Sequence, residues 1–152
     1  MVTYKVKLVS QAHAIALLFI LLVVFFTEAA IFFPLRNQSL AIPLSVLHFG
    51  FGIFLWQKFV TGRTEWTVDN DRITVSWTRR FAFSKLEGYI FEWGDIEKLW
   101  KGMDPNYYNL KFKFYSGETI TFYHASFSKD DFSDLTTVLF RTFEDKKKLR
   151  QT

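Results

Sequence analysis

Polar and apolar positions along the chain follow three successive patterns, and each predicts a different kind of element. Over Met1–Ser10 they alternate with a period of two, Tyr4, Val6 and Leu8 on one side and Lys5 and Lys7 on the other, as in a strand. The alternative for residues 1–10 is a positively charged cytoplasmic flank. As a strand, this segment is expected to pair with an edge of a sheet formed further along. Ala14–Phe33 is then apolar apart from Thr27 and Glu28, and Leu40–Trp56 carries only Ser45 and His48 as polar side chains. A helix rises about 1.5 Å per residue, so about 20 apolar residues cover the roughly 30 Å hydrocarbon core of a bilayer. The two runs predict a transmembrane hairpin over residues 11–61, with spans near 13–33 and 40–60 and a hinge at Phe33–Ser39. Pro34 stops the first helix, Arg36-Asn37-Gln38-Ser39 makes a polar turn, and Ser39 is placed to cap the second helix, with Pro43 near its first turn. Trp56, Gln57 and Lys58 mark the exit at the interface.

From Thr64 the period of two returns. Glu65–Val68 and Arg72–Arg79 flank the turn Asp69-Asn70-Asp71, and Ile73, Val75 and Trp77 alternate with Arg72, Thr74, Ser76 and Thr78. Phe81–Phe83 and Leu86–Phe91 read as further strands, with Gly88 as a bulge, and Ile96 opens another that runs through Trp100. Lys101–Asn106 has the chemistry of a loop. Leu110, Phe112 and Phe114, the turn Ser116-Gly117, then Ile120 and Phe122 form the clearest hairpin. The period then becomes helical: Ser128 with Asp131 is a capping signal, and Phe132, Leu135, Leu139 and Phe143 form one apolar stripe. The expected fold class is therefore a membrane α-helical hairpin plus an α+β domain over 62–152, with about seven antiparallel strands before one C-terminal helix.

Composition sharpens this in three places. Of 152 residues, 49% are hydrophobic, yet mean hydropathy is only +0.07, so an apolar first third is balanced by a charged remainder. The net charge of +4 suits an anionic membrane surface, which the hairpin makes a better explanation than nucleic acid. Lys5, Lys7, Lys58 and Arg63 flank the runs on one side and only Arg36 lies in the turn, which predicts a multi-pass protein of the cell inner membrane with both termini cytoplasmic. There is no cysteine, which excludes disulfides, thiolate chemistry and cysteine-based metal sites. Thr27-Glu28-Ala29 imitates a signal cleavage site, but the apolar run resumes at Ile31, so a retained span is expected.

The order of elements, read with Trp93-Gly94-Asp95-Ile96, Tyr107-Tyr108-Asn109-Leu110 and Ala125-Ser126-Phe127 leading into Ser128-Lys129-Asp130-Asp131-Phe132, resembles the YcxB-like membrane proteins. These carry a bacterial pleckstrin-homology-like (PH-like) domain. The resemblance covers nearly the whole chain and implies a leading strand, two spans and a PH-like barrel capped by its last helix. Glu92 replaces the family's usual proline, and Tyr123-His124 stands where a proline and a basic residue are common. The resemblance implies architecture and little chemistry.

Candidate chemistry is sparse. His13, His48 and His124 form no metal-binding pair, no glycine-rich phosphate loop or G-x-S-x-G elbow occurs, and the chain is expected to be non-enzymatic with no cofactor or metal. His124, at a strand end, reads as a solvated residue. Three constellations stand out. Glu28, Ser45 and His48 form an intramembrane polar set, because antiparallel helices place them at similar depth; a bond that holds the hairpin and an ion or proton pathway are the two readings. Trp100, Met103, Tyr107 and Tyr108, with Pro105, form either a protein-docking patch or a cover for the sheet's open corner. Arg79, Arg80 and Lys85 are either anionic-lipid contacts or a solvated basic face. The function expected is a membrane-anchored scaffold or interaction module whose partners are membrane lipids and a protein or a second copy, with no nucleic acid. The alternatives are a small oligomeric channel or transporter accessory subunit, and protection against a membrane-active toxin.

Overall fold

The computed structural model describes residues 2–32, 38–85, 87–104, 107–125 and 128–151. Residues 33–37 of the expected hinge Phe33–Ser39, Pro105 and the Ser126-Phe127 part of the family-like motif lie outside the described residues, as does the Ser39 side chain. Two compact units result: Ser10–Thr61, and Met1–Val9 together with Gly62–Thr152. Val2–Val9 is thus part of the sheet unit and Ser10 part of the helical one.

The first unit is helical. Helix α1 (Gln11–Phe32) is capped by Ser10, whose hydroxyl lies 2.6 Å from His13 Nδ1 and whose carbonyl accepts the Ala14 N–H at 3.0 Å. Helix α2 (Gln38–Leu55) passes through Pro43 and ends in a π-helical turn, Trp56–Val60. Among the described residues one helix, Gln11–Ile31 with mean hydropathy 2.7, is long and apolar enough to cross a membrane by length and composition. The expectation of two such helices is corrected to that extent: α2 has 18 residues, about 27 Å, and carries Ser45 and His48. Apolar side chains on both helices face outward, among them Phe19, Phe26, Ile42 and Phe49. Leu21 packs against Gly52, and the Ser10 N–H donates to the Val60 carbonyl at 3.0 Å, so the two ends of the unit meet.

The second unit is a seven-stranded sheet with one helix. In chain order it comprises β1 (Val2–Val9), β2 (Thr61–Val68), β3 (Arg72–Arg79), β4 (Tyr89–Glu92), β5 (Ile96–Asp104), β6 (Tyr107–Phe114), β7 (Thr119–Ala125) and α3 (Phe132–Gln151). The order across the sheet is β4-β3-β2-β1-β7-β6-β5, and each pair of defined register is antiparallel.

Three expectations are corrected. First, β1 lies in the middle of the sheet rather than on an edge. Leu8 is opposite His124 on one side, and on the other the Thr64 hydroxyl donates to the Val6 carbonyl at 3.1 Å. Alternation predicts one buried face, here Val6 and Leu8, and says nothing about which edges are paired. Second, the sheet is not closed into a barrel. β4 and β5, the end strands, follow one another through a 3₁₀ turn, Trp93–Asp95. There Trp93 binds back to the β2–β3 turn, its indole N–H donating to the Asp69 carbonyl at 2.9 Å and its amide to that of Asp71 at 3.2 Å. Third, Phe81–Phe83 is a turn, and Lys101–Asp104 is strand paired with β6 rather than loop.

The β6–β7 hairpin turns at Gly117, where φ is +88°, a conformation glycine adopts without steric cost. Trp66, Phe91, Phe112, Phe114 and Phe122 form the aromatic centre of the core, with Trp66 edge-on to Phe122 at 4.8 Å. Phe132, Leu135, Leu139 and Phe143 of α3 join the same cluster. Truncating any one of these to alanine removes about 2–5 kcal/mol.

Candidate functional site

The intramembrane set comes together in part. Glu28 on α1 and His48 on α2 lie 3.2 Å apart, Oε2 to Nδ1, with the Phe25 ring edge-on to the imidazole at 6.1 Å. Ser45, one turn before His48, is exposed. Nearby, the Thr27 hydroxyl donates to the Val23 carbonyl at 2.8 Å, which satisfies it within its own helix. The pair joins the two helices of the unit, and neither side chain is more than 28% exposed.

The aromatic edge is built on paired strands, not on a loop. Met103 lies opposite Tyr108, Trp100 opposite Lys111, and Asp104 opposite Tyr107. Met103 is exposed and Trp100 half-buried beneath the Lys98 ammonium, 5.5 Å from its ring. Tyr108 turns inward, with the Lys101 ammonium 5.1 Å from its ring, while burial pushes the Tyr107 phenol above its usual range. The four residues therefore do not form one continuous surface: Met103 is exposed, while Trp100, Tyr107 and Tyr108 are half-buried, and Trp100 and Met103 alternate to opposite faces of β5.

Arg79 and Arg80 at the end of β3, and Lys85 in the following connection, are all exposed. Between them stands Phe83, 94% exposed and at φ +60°.

The sequence reading missed the most highly connected polar group, and it misplaced His124, which is buried rather than solvated. His124 Nε2 lies 2.8 Å from Asp130 Oδ1, with the two side chains 4% and 7% exposed. The ring stacks on Phe132 at 4.1 Å and 3°. Asp130 also accepts the Lys7 amide at 2.8 Å, the Ser128 hydroxyl at 3.2 Å and the Phe132 amide at 3.2 Å. Burial raises its pKa, but the His124 hydrogen bond, the Lys7 amide, the imidazole's charge and the Phe132 amide outweigh it and hold the carboxyl below its ordinary value. Its neighbour Asp131 accepts the Lys5 amide at 2.8 Å and returns its own N–H to the Lys5 carbonyl at 3.3 Å. The two aspartates just before α3 thus supply acceptors for the Lys5 and Lys7 amides of β1. The capping signal was legible, but it is Asp130 that takes the first helical N–H. A further missed feature is a cavity of about 270 Å³ floored by Ile96 and Phe143 and rimmed by Lys146, Lys147 and Arg150. Arg150 is held by the Trp93 carbonyl.

Every contact of the Asp130 carboxylate is as an acceptor, from the His124 imidazole, the Lys7 and Phe132 amides and the Ser128 hydroxyl. Among the described residues no group of three or more metal-ligating His, Asp or Glu side chains forms. No protein-family model, no curated protein and no solved structure matches this chain.

Proposed function

We propose that this chain is a membrane-anchored, non-enzymatic interaction module of the YcxB-like kind, presenting a PH-like sheet domain at the cytoplasmic face of the inner membrane through a two-span hairpin. One observation carries the reading: the apolar helical unit, Ser10–Thr61, is inserted between β1 and β2, neighbours in the middle of the sheet. An anchor on a terminus can be lost without harm to a domain, whereas this sheet cannot form until both ends of the insertion have returned to it. The second crossing is supported by the uninterrupted helical path from Gln38 to Val60, and the orientation by Lys5, Lys7, Lys58 and Arg63 on the side of the sheet domain. The seven-strand order ending in a helix supports the PH-like assignment, and the exposed Met103 on the edge strand β5 supports a partner-protein contact.

The test uses the absence of native cysteine. In intact cells a Ser39→Cys chain should react with a membrane-impermeant thiol reagent, and a Thr152→Cys chain only after the membrane is opened. Labelling of both in intact cells would exclude the two-span hairpin, and the reverse pattern would exclude the cytoplasmic domain.

The Glu28–His48 pair favours a second reading, an oligomeric channel or transporter accessory subunit. That reading requires Glu28→Gln to abolish a proton or ion flux into proteoliposomes while leaving the fold intact. No flux in the native protein rules it out.

A further inference from the structure

The connection between β3 and β4 combines features that a solvent-facing turn has no need of. Phe83 exposes 94% of its surface and sits at φ +60°, a region that a bulky L-residue rarely occupies. Strain of this kind persists only where the surroundings impose it, and here they do. Phe81, two residues earlier, is buried and meets the Trp77 ring at 5.1 Å, the Trp77 indole donates to the Glu87 carbonyl at 3.1 Å, and the Ser84 amide closes onto the Phe81 carbonyl at 3.2 Å. The base of the turn is fixed, and its tip points an aromatic ring outward. The same connection carries Arg79, Arg80 and Lys85, all exposed, against one carboxylate, Glu87.

Register places this turn within the sheet unit. Arg79 is opposite Arg63, near the start of β2. The turn therefore lies at the end of the sheet where the chain returns from its apolar insertion. Gly62 is packed directly on it: a Cβ there would stand 2.6 Å from the Trp77 ring, 3.1 Å from Phe81 and 3.2 Å from the Arg79 carbonyl. No side chain fits between the returning strand and the base of the turn.

We propose that Phe83 is a membrane-inserting wedge, held by Arg79, Arg80 and Lys85 against an anionic lipid surface. This rests on the membrane-anchored reading and adds a second, charge-dependent attachment for the sheet domain. One aromatic ring within a cationic rim matches an interfacial membrane contact, where the ring enters the acyl boundary and the cations face phosphates. Among the described residues from 79 to 88 Phe83 is the one exposed large hydrophobe, whereas a protein interface core would present further apolar area.

The full-length chain carrying one spin label, at Phe83→Cys, Asn70→Cys or Phe19→Cys, is reconstituted into vesicles of phosphatidylcholine alone or with phosphatidylglycerol. Asn70 lies in the β2–β3 turn, at the other end of those strands, and Phe19 on the apolar helix. In anionic vesicles the label at 83 should be about tenfold less accessible to a water-soluble nickel complex than the label at 70, and should lose most of that protection in neutral vesicles. Replacing Arg79, Arg80 and Lys85 together by glutamine should give the neutral-vesicle result in anionic vesicles. A label at 83 that stays water-accessible in both compositions overturns the wedge, as does one immobilised only when native membrane proteins are present. The label at Phe19 separates the two failures: if it too reads water, the anchor itself is wrong.

Discussion

Replacing Asp130 by alanine should be among the most destabilising single changes in the sheet unit, even though it removes no core hydrophobe. The carboxylate accepts from the His124 imidazole, the Lys7 amide, the Phe132 amide and the Ser128 hydroxyl. Alanine leaves His124 buried with no acceptor for its Nε2–H, and its Nδ1 has no partner already. An unsatisfied buried donor costs about 1–3 kcal/mol, and a bond to a charged acceptor contributes about 1.5–3. Ser128 and, in part, Lys7 can turn to water, so the loss should be roughly 3–5 kcal/mol, a large share of the roughly 5–15 kcal/mol that holds a domain together. Asp131→Ala is the matched comparison. It removes the acceptor of the exposed Lys5 amide only, and should cost about 1 kcal/mol or less.

Denaturant titration of the detergent-solubilised chain, followed by tryptophan fluorescence, reads the right unit, because Trp66, Trp77, Trp93 and Trp100 all lie in the sheet and only Trp56 does not. Acid supplies an independent check. The Asp130 pKa is lower in the folded chain than its ordinary value of 3.8, so between the two values the unfolded chain binds more protons. Its contribution is therefore complete above 3.8 and lost as pH falls through the depressed value. Asp130→Asn should be less stable than the native chain at neutral pH, and the two should converge in strong acid. If Asp130→Ala matches the native chain within about 0.5 kcal/mol, or costs no more than Asp131→Ala, the aspartates do not fasten β1 to α3 and the reasoning fails.

Thr64→Val keeps shape but removes a buried hydroxyl that donates to the Val6 carbonyl and accepts the Trp66 indole N–H at 2.9 Å; a loss of about 2–3 kcal/mol is expected in the same titration. In the helical unit, Glu28→Leu should weaken the α1–α2 contact by about 1 kcal/mol while Glu28→Gln, which can still bond His48, should not. The yield of a Leu21→Cys/Gly52→Cys cross-link, placed where those residues touch, measures this, and equal yields in both variants would mean that the pair does not hold the helices.

Much of the fold was legible because it follows from periodicity. The β6–β7 hairpin, the α3 stripe and the β2–β3 hairpin each present a sustained pattern that only one element satisfies. Errors arose where local pattern competed with a tertiary anchor. Phe81-Ala82-Phe83 alternates like a strand, but Phe81 is fixed in the core against Trp77, and the chain must turn to bring Tyr89 opposite Val75. Lys101-Gly102-Met103-Asp104 has loop composition, yet β6 supplies a complete ladder of partners and holds it as strand. Closure of a barrel is not a periodic property at all; it depends on whether β4 and β5 can meet, and Trp93 directs the chain elsewhere.

The polar sites divide along the same line. Glu28 and His48 could be matched because two antiparallel helices convert sequence distance into depth, one coordinate that can be read without a structure. His124 and Asp130 could not, since their shared role comes from Lys5 and Lys7, more than a hundred residues away. The available signal was the conjunction of Lys5 and Lys7 on one alternating strand with Asp130-Asp131 at a helix start. It becomes informative only once β1 is known to lie beside β7 and within reach of the start of α3. That placement in turn is what the inserted helices require. β1 and β2 sit side by side with the helical unit inserted between them, so β1's far side needs partners, and β7 together with Asp130 and Asp131 supplies them. The buried pair that resembles a catalytic dyad is, on this argument, a consequence of where the helical unit is inserted.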